Sequence, residues 1–130
     1  LLADTTFLID IMLGEPGALK KAAEIEKGGS TVSVGSPTIF ELYVGVSLSG
    51  KAEDEKSKIT SLLASLPQLS LDYQSACFGG SIYGDKMKMG SRIDPEDAML
   101  AGIAKAHGER IVTRNVRHFE GIEGVILESY

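Results

Sequence analysis

Five short apolar runs alternating with longer segments of helical spacing constrain this 130-residue chain more than any other feature. The strand-like runs are Leu1 to Asp4, Thr31 to Gly35, Leu69 to Leu71, Arg110 to Thr113 and Val125 to Leu127, most of them rich in Val, Ile or Leu. Between them lie helical patterns with recognisable ends. Pro16 opens a run to Lys27 that stops at Gly28-Gly29. Ser36-Pro37 reads as N-cap and first helical position, with Ile39, Leu42, Tyr43 and Val46 at helical spacing before Gly50. Lys51 to Leu66 is closed by Pro67, and Asp72 caps a run to about Met89 that Gly79, Gly80 and Gly84 weaken. Asp94-Pro95 starts a last helix, which ends at Gly108. Short buried strands alternating with helices specify an α/β fold, a parallel sheet with helices on both faces. The length suits one domain, and no repeat or linker divides it.

In such a sheet, ligands gather beyond the carboxyl ends of the strands. Asp4 ends the first run, so its carboxylate is expected to point into that crevice. Glu41 in the helix beginning at Pro37, Asp94 and Asp97 in "RIDPEDAMLAGIA", and Asn115 after the fourth strand can converge on the same edge. Clustered carboxylates repel one another unless a cation joins them. Hard Mg²⁺ or Mn²⁺ suits such oxygen ligands. Each residue also has a plainer role. Asp94, Pro95 and Asp97 are what a helix N-terminus favours. Glu41, between Phe40 and Leu42, fits a surface position between core ones, and Asp10 is expected to face solvent. Cys77, between Ala76 and Phe78, is expected to be a buried structural thiol. Met87 and Met89 look like core gap fillers, and His118, beside Phe119, is assigned to packing.

The net charge of −5 argues against a wholly basic nucleic-acid binder, but the charge is uneven. From Gly84 to His118 seven basic residues (Lys86, Lys88, Arg92, Lys105, Arg110, Arg114, Arg117) meet five acids, and elsewhere acids outnumber bases 13 to 6. That segment offers a place for a phosphate-bearing partner. One cysteine excludes an internal disulfide and a multi-cysteine zinc site, and fits a reducing cytoplasm. No basic leader precedes an apolar run, and no run approaches the roughly 20 residues of a bilayer span. A cytoplasmic protein without membrane contact is expected.

Three stretches, "LLADTTFLIDIMLGEPGA", "SPTIFELYVGV" and "IDPEDAMLAGIAKAHGERIVTRNVRHFEGIEGVIL", resemble in order and spacing the PIN-domain ribonucleases, and most closely the VapC-like toxins of VapBC toxin–antitoxin pairs. The likeness spans nearly the whole chain. It implies a three-layer α/β/α sandwich with a short, mainly parallel sheet and a Mg²⁺- or Mn²⁺-dependent endoribonuclease site. The family's acids fall on Asp4, Glu41 and Asp97. Asn115 occupies the position of a fourth acid, and Asp94 is an additional candidate ligand. Thr5 and Thr113 match supporting hydroxyl positions. Arg114, Arg117, Lys86, Lys88 and Arg92 are candidate RNA contacts. The resemblance further implies a small antitoxin partner and a homodimer, with the helices Pro16 to Lys27 and Ser36 to Ser49 offering apolar surface. Two alternatives remain, a PIN nuclease of RNA processing without an antitoxin and a degenerate RNA- or protein-binding module.

Overall fold

The computed structural model describes residues 1–130. Its strands are very short: β1 (Leu2–Ala3), β2 (Ser33–Gly35), β3 (Gln68–Leu69), β4 (Ile111–Val112) and β5 (Leu127–Glu128). All pair in parallel, in the order β3-β2-β1-β4-β5. Ladders of two or three residues supply few hydrogen bonds, so burial on both faces must hold the sheet. Successive strand side chains point to opposite faces. Leu2 and Ile111 enter one core, and Ala3, Val34 and Val112 enter the other, all fully buried.

Helices α1 (Thr5–Met12), α2 (Pro16–Lys27), α3 (Ser36–Leu48) and α4 (Ala52–Ala64) cover the Ala3 face with Phe7, Leu8, Ile25, Leu42, Ile59 and Leu63. Helices α5 (Tyr73–Lys88) and α6 (Pro95–His107), with a 3₁₀ turn at Val116–Phe119, cover the Leu2 face, chiefly through Leu100, Ile103 and Phe119. This is the expected three-layer α/β/α sandwich. No helix is long and apolar enough to cross a membrane. After β1 the chain winds outward through β2 and β3, then returns to β4 on the other side of β1. The order therefore switches between β1 and β4, and ligands bind beyond the strand ends at such a switch. Asp4 and Thr113, the residues that follow these two strands, face each other there.

Local chemistry explains most helix ends and corrects several expectations. The Asp72 carboxylate caps α5 by accepting the Ser75 N–H at 2.9 Å. Ser36 is not an N-cap: Gly35 takes that position, and the Ser36 hydroxyl instead accepts the Leu71 N–H at 2.9 Å, tying α3 to the chain after β3. Helix α5 turns Ser75 and Gly79 inward. That orientation leaves Cys77, Met87 and Met89 exposed, so the thiol is not structural and the two methionines fill no gap. On α3, Leu42 and Val46 are buried but Tyr43 lies at the exposed edge.

The glycines that weaken α5 by propensity serve its packing. A Cβ on Gly102 of α6 would overlap the Ser75 carbonyl oxygen and lie 2.6 Å from the Gly79 amide nitrogen, so only glycine lets the two helices approach this closely. Gly102→Ala is expected to destabilise the protein by about 1–3 kcal/mol in urea unfolding, the usual cost of overpacking. Gly80→Ala, which would meet open space on α5, should instead stabilise by about 0.5–1 kcal/mol.

Candidate active site

Three consecutive residues, Asp4, Thr5 and Thr6, fasten two segments to the start of α1: the chain that leaves β4, held by Asp4 and Thr6, and α3, held by Thr5. Asp4 is its N-cap: Oδ1 accepts the Phe7 N–H at 2.8 Å, and Oδ2 accepts the Thr113 hydroxyl at 2.5 Å. The Thr113 oxygen in turn accepts the Asn115 N–H at 2.9 Å. The Thr5 hydroxyl donates to Glu41 Oε1 on α3 at 2.7 Å. Thr6 Oγ1 accepts from the Asn115 side-chain amide at 3.2 Å. Thr6 lay outside the sequence expectations, because a second threonine at a helix start carries no distinguishing pattern.

Asp97 lies in the first turn of α6, with Oδ2 3.2 Å from His118 Nδ1. His118 therefore borders the acids rather than packing in the core, and its ring stays half exposed. Asp94 occupies the N-cap position of α6, but its side chain makes no capping hydrogen bond. Capping does not consume that carboxylate. Arg92 and Arg117 line a cavity of about 220 Å³ with Asp94, Asp97 and His118. Lys86 lies apart, donating to the Glu120 carbonyl at 2.8 Å, and Lys88 is exposed in the last turn of α5. Arg114 reaches toward Asp10, its Nη1 3.6 Å from Oδ2. Asp10 does not face solvent: it is 5% exposed and accepts the Tyr130 hydroxyl at 2.7 Å.

The electrostatics tie these acids into one site. Burial pushes the Asp4 carboxyl above its usual range, although the bonds from Thr113 and Phe7 oppose the shift. Burial likewise raises Glu41, against the Thr5 bond, and the charges of Glu96, Asp94 and Asp4 add to the rise. Asp97 is pushed up to about 6 by burial, opposed by His118 and reinforced by Asp94, Glu41 and Asp4. The Asp4 charge acts on Glu41, and both act on Asp97, so the three share a field that a cation placed among them relieves. The donors are all carboxylate oxygens, which fits a hard divalent ion. No three acidic, histidine or cysteine side chains close into a protein-only chelate. Mg²⁺ and Mn²⁺ suit such an open set, since Mg²⁺ keeps several waters and uses only one or two carboxylates.

One end of an apolar groove of about 280 Å³ reaches Glu41; Ile9, Met12, Leu42, Val46 and Ile59 line it. It is built by α1, α3 and α4. Helix α2, the other helix expected to offer apolar surface, lines no part of this groove; it buries Ala18 and Ile25 in the core and leaves Leu19 exposed elsewhere.

Fold, switch point and clustered acids together define a class. The PIN-domain family model matches residues 1–124, and the chain belongs to that family. Among proteins of this kind it is similar to a Shigella flexneri protein named tRNA(fMet)-specific endonuclease VapC, 28% identical over 127 residues that cover 98% of this chain and 95% of the relative. A crystal structure of VapBC2 from Rickettsia felis bound to a promoter DNA fragment superposes with TM-score 0.89 at 25% identity, over 99% of this chain and 97% of that one. DNA-bound VapBC from Salmonella typhimurium gives TM-score 0.88 at 28% identity, over 98% and 96% of the two chains.

An acid with a raised native pKa binds its proton more tightly in the folded state than in the unfolded one, so stability falls as pH rises through that window. For Asp97 the window runs from its ordinary 3.8 to about 6. Metal-free protein in EDTA should therefore lose stability between these values, by at most about 3 kcal/mol from this group. Asp97→Asn should flatten that part of a pH series of urea unfolding.

Proposed function

We propose that this chain is a divalent-metal-dependent endoribonuclease and the toxin of a toxin–antitoxin pair. The observation that carries the reading is the convergence of Asp4, Glu41 and Asp97 at the β1/β4 switch, where burial raises all three pKa values and the Asp4 charge adds to the rise at Glu41 and Asp97. The VapC names of the relatives support RNA as substrate. Asp4, Glu41 and Asp97 are assigned as catalytic ligands of Mg²⁺ or Mn²⁺, with Asp94 as a further ligand. When bound, such an ion supplies Lewis acidity, lowering the pKa of a coordinated water and offsetting charge on the phosphodiester.

The chain's own residues do the rest. Asp4 cannot rotate away, since both its oxygens are engaged. Thr5 holds Glu41 by one oxygen, which leaves the other as its free acceptor for orienting water. Thr113 and Asn115 brace the end of β4. Arg92 and Arg117 line the crevice beside Asp94 and Asp97, Arg114 follows Thr113 at the end of β4, and all three supply phosphate contacts, while Lys86 and Lys88 extend the basic surface farther out. Single-stranded or looped RNA best fits an open crevice of this kind, because its backbone and bases are reachable. Hydrolysis proceeds by direct attack of water, with no covalent enzyme intermediate.

The apolar groove ending at Glu41 fits the apolar side of a short antitoxin segment, whose basic side chain would neutralise the carboxylates in place of the cation. The VapBC complexes among the similar structures support such a partner. Phe40, Val44 and Leu48 form an exposed stripe on α3 that supplies apolar surface for a homodimer.

The test is cleavage of an RNA panel that includes tRNA(fMet), with Mg²⁺, Mn²⁺ or EDTA. Asp4→Asn and Asp97→Asn should each lower metal-dependent cleavage by about 100-fold or more while the protein still melts cooperatively. Asp94→Asn should cost much less, within about fivefold, because Asp94 only supplements the three assigned carboxylates and Asn keeps an oxygen donor at that place. Mn²⁺ at ten times its dissociation constant should stabilise the wild type by about 1.4 kcal/mol. Undiminished cleavage by Asp4→Asn would defeat the assignment, and an absence of both cleavage and metal stabilisation would favour the degenerate binding module.

A further inference from the structure

Asp10 is a charged group that the proposed chemistry leaves unused. It lies on α1 six residues after Asp4 and is 5% exposed, so its carboxylate needs compensation. Two groups provide it at one oxygen: the Tyr130 hydroxyl donates to Oδ2 at 2.7 Å, and Arg114 Nη1 lies 3.6 Å from the same atom. The Tyr130 ring packs against Phe7 with centroids 5.0 Å apart, and the Phe7 amide is the one that donates to Asp4. Burial, reinforced by the Asp10 hydrogen bond and charge, raises the Tyr130 phenol above its ordinary range, so the hydroxyl remains a donor.

Arg114 stands between two anchored neighbours. Thr113 donates to Asp4, and Asn115 is held by Thr113 and Thr6, so the backbone at residue 114 is fixed and only the long side chain has freedom. Its side chain is 54% exposed, and a guanidinium carries five N–H donors in a fork suited to phosphate. A contact with Asp10 on one side leaves the open side for a second anion.

We propose that Asp10 and Tyr130 are positioning residues that hold Arg114 at the crevice as a contact for the RNA phosphate backbone, an assignment that rests on the nuclease reading. The electrostatic sign makes it testable. Removing a carboxylate would by itself strengthen attraction to a polyanion. Weaker RNA binding after Asp10→Asn must therefore come through lost placement of Arg114.

The measurement is fluorescence anisotropy of a fluorescein-labelled, mixed-sequence single-stranded RNA, titrated with the 130-residue chain in EDTA over a range of salt concentrations. Arg114→Ala and Asp10→Asn should each weaken binding about three- to tenfold and reduce the salt slope by about 0.7, the loss of one single-strand phosphate contact. Asp10→Asn added to Arg114→Ala should weaken it no further. Tyr130→Phe, which keeps the ring and deletes the hydroxyl, should act in the same direction to a smaller extent, and it decides the cycle if Asp10→Asn fails to fold. Binding by Asp10→Asn as tight as wild type or tighter, or losses that add in the double variant, would overturn the positioning role. Wild-type protein that binds no RNA would overturn the nuclease reading as well, which distinguishes the two failures.

Discussion

The hydrogen bond from the Thr113 hydroxyl to the Asp4 carboxylate crosses the place where the winding of the sheet reverses, and the candidate site is assembled around it. A carboxylate 6% exposed is costly unless its lone pairs are occupied. Here one oxygen caps α1 through the Phe7 amide and the other is tied to the end of β4. The same Thr113 oxygen fixes the Asn115 amide, so one buried contact sets the start of α1, the end of β4 and the loop that leads to the 3₁₀ turn. Asp4 consequently has a defined direction before any ligand arrives.

Around that anchor the fold concentrates charge that it does not neutralise. Burial lifts Asp4, Glu41 and Asp97, repulsion from Asp4 and Asp94 adds to it at Glu41 and Asp97, and His118 offsets only part of the rise at Asp97. Such an arrangement sacrifices stability locally and is sustained by the two apolar cores on either side of the sheet. A divalent ion that relieves the repulsion would add its binding energy to folding. Asp10 follows the opposite logic: it is buried on the same helix, but Tyr130 and Arg114 compensate it within the chain. Two carboxylates on one helix thus have different electrostatic fates because their neighbours differ.

Two surfaces meet at this crevice. The apolar groove between α1, α3 and α4 ends at Glu41, and the basic rim of Arg92 and Arg117 flanks Asp94 and Asp97. An RNA strand and an antitoxin segment would compete for the same carboxylates while resting on different walls. That juxtaposition depends on parallel strands, since only a parallel sheet brings the ends of β1 and β4 and the start of α3 to one edge.

Much of this was legible in the residues because it depends on local chemistry. The alternation of short apolar runs with capped helices specified the α/β class and the strand positions to within a few residues, and Asp4 was evident as an acid at a strand end. The bounds of α2 and the start of α6 were equally clear from Pro16, Gly28 and Pro95, whose backbone restrictions act in any context. What periodicity could not supply was the facing of individual side chains across the molecule. Asp10 and Cys77 each had a neighbourhood that suggested the wrong environment, because burial is decided by partners more than a hundred residues away, as with Tyr130, or by the face a helix turns to its neighbour, as in α5. His118 joined Asp97 only through the packing of the 3₁₀ turn against α6. The sequence by itself determined the kinds of element and the chemical types available to the site; tertiary structure alone decided which carboxylates share a field, because that depends on distances set by strand order and helix packing.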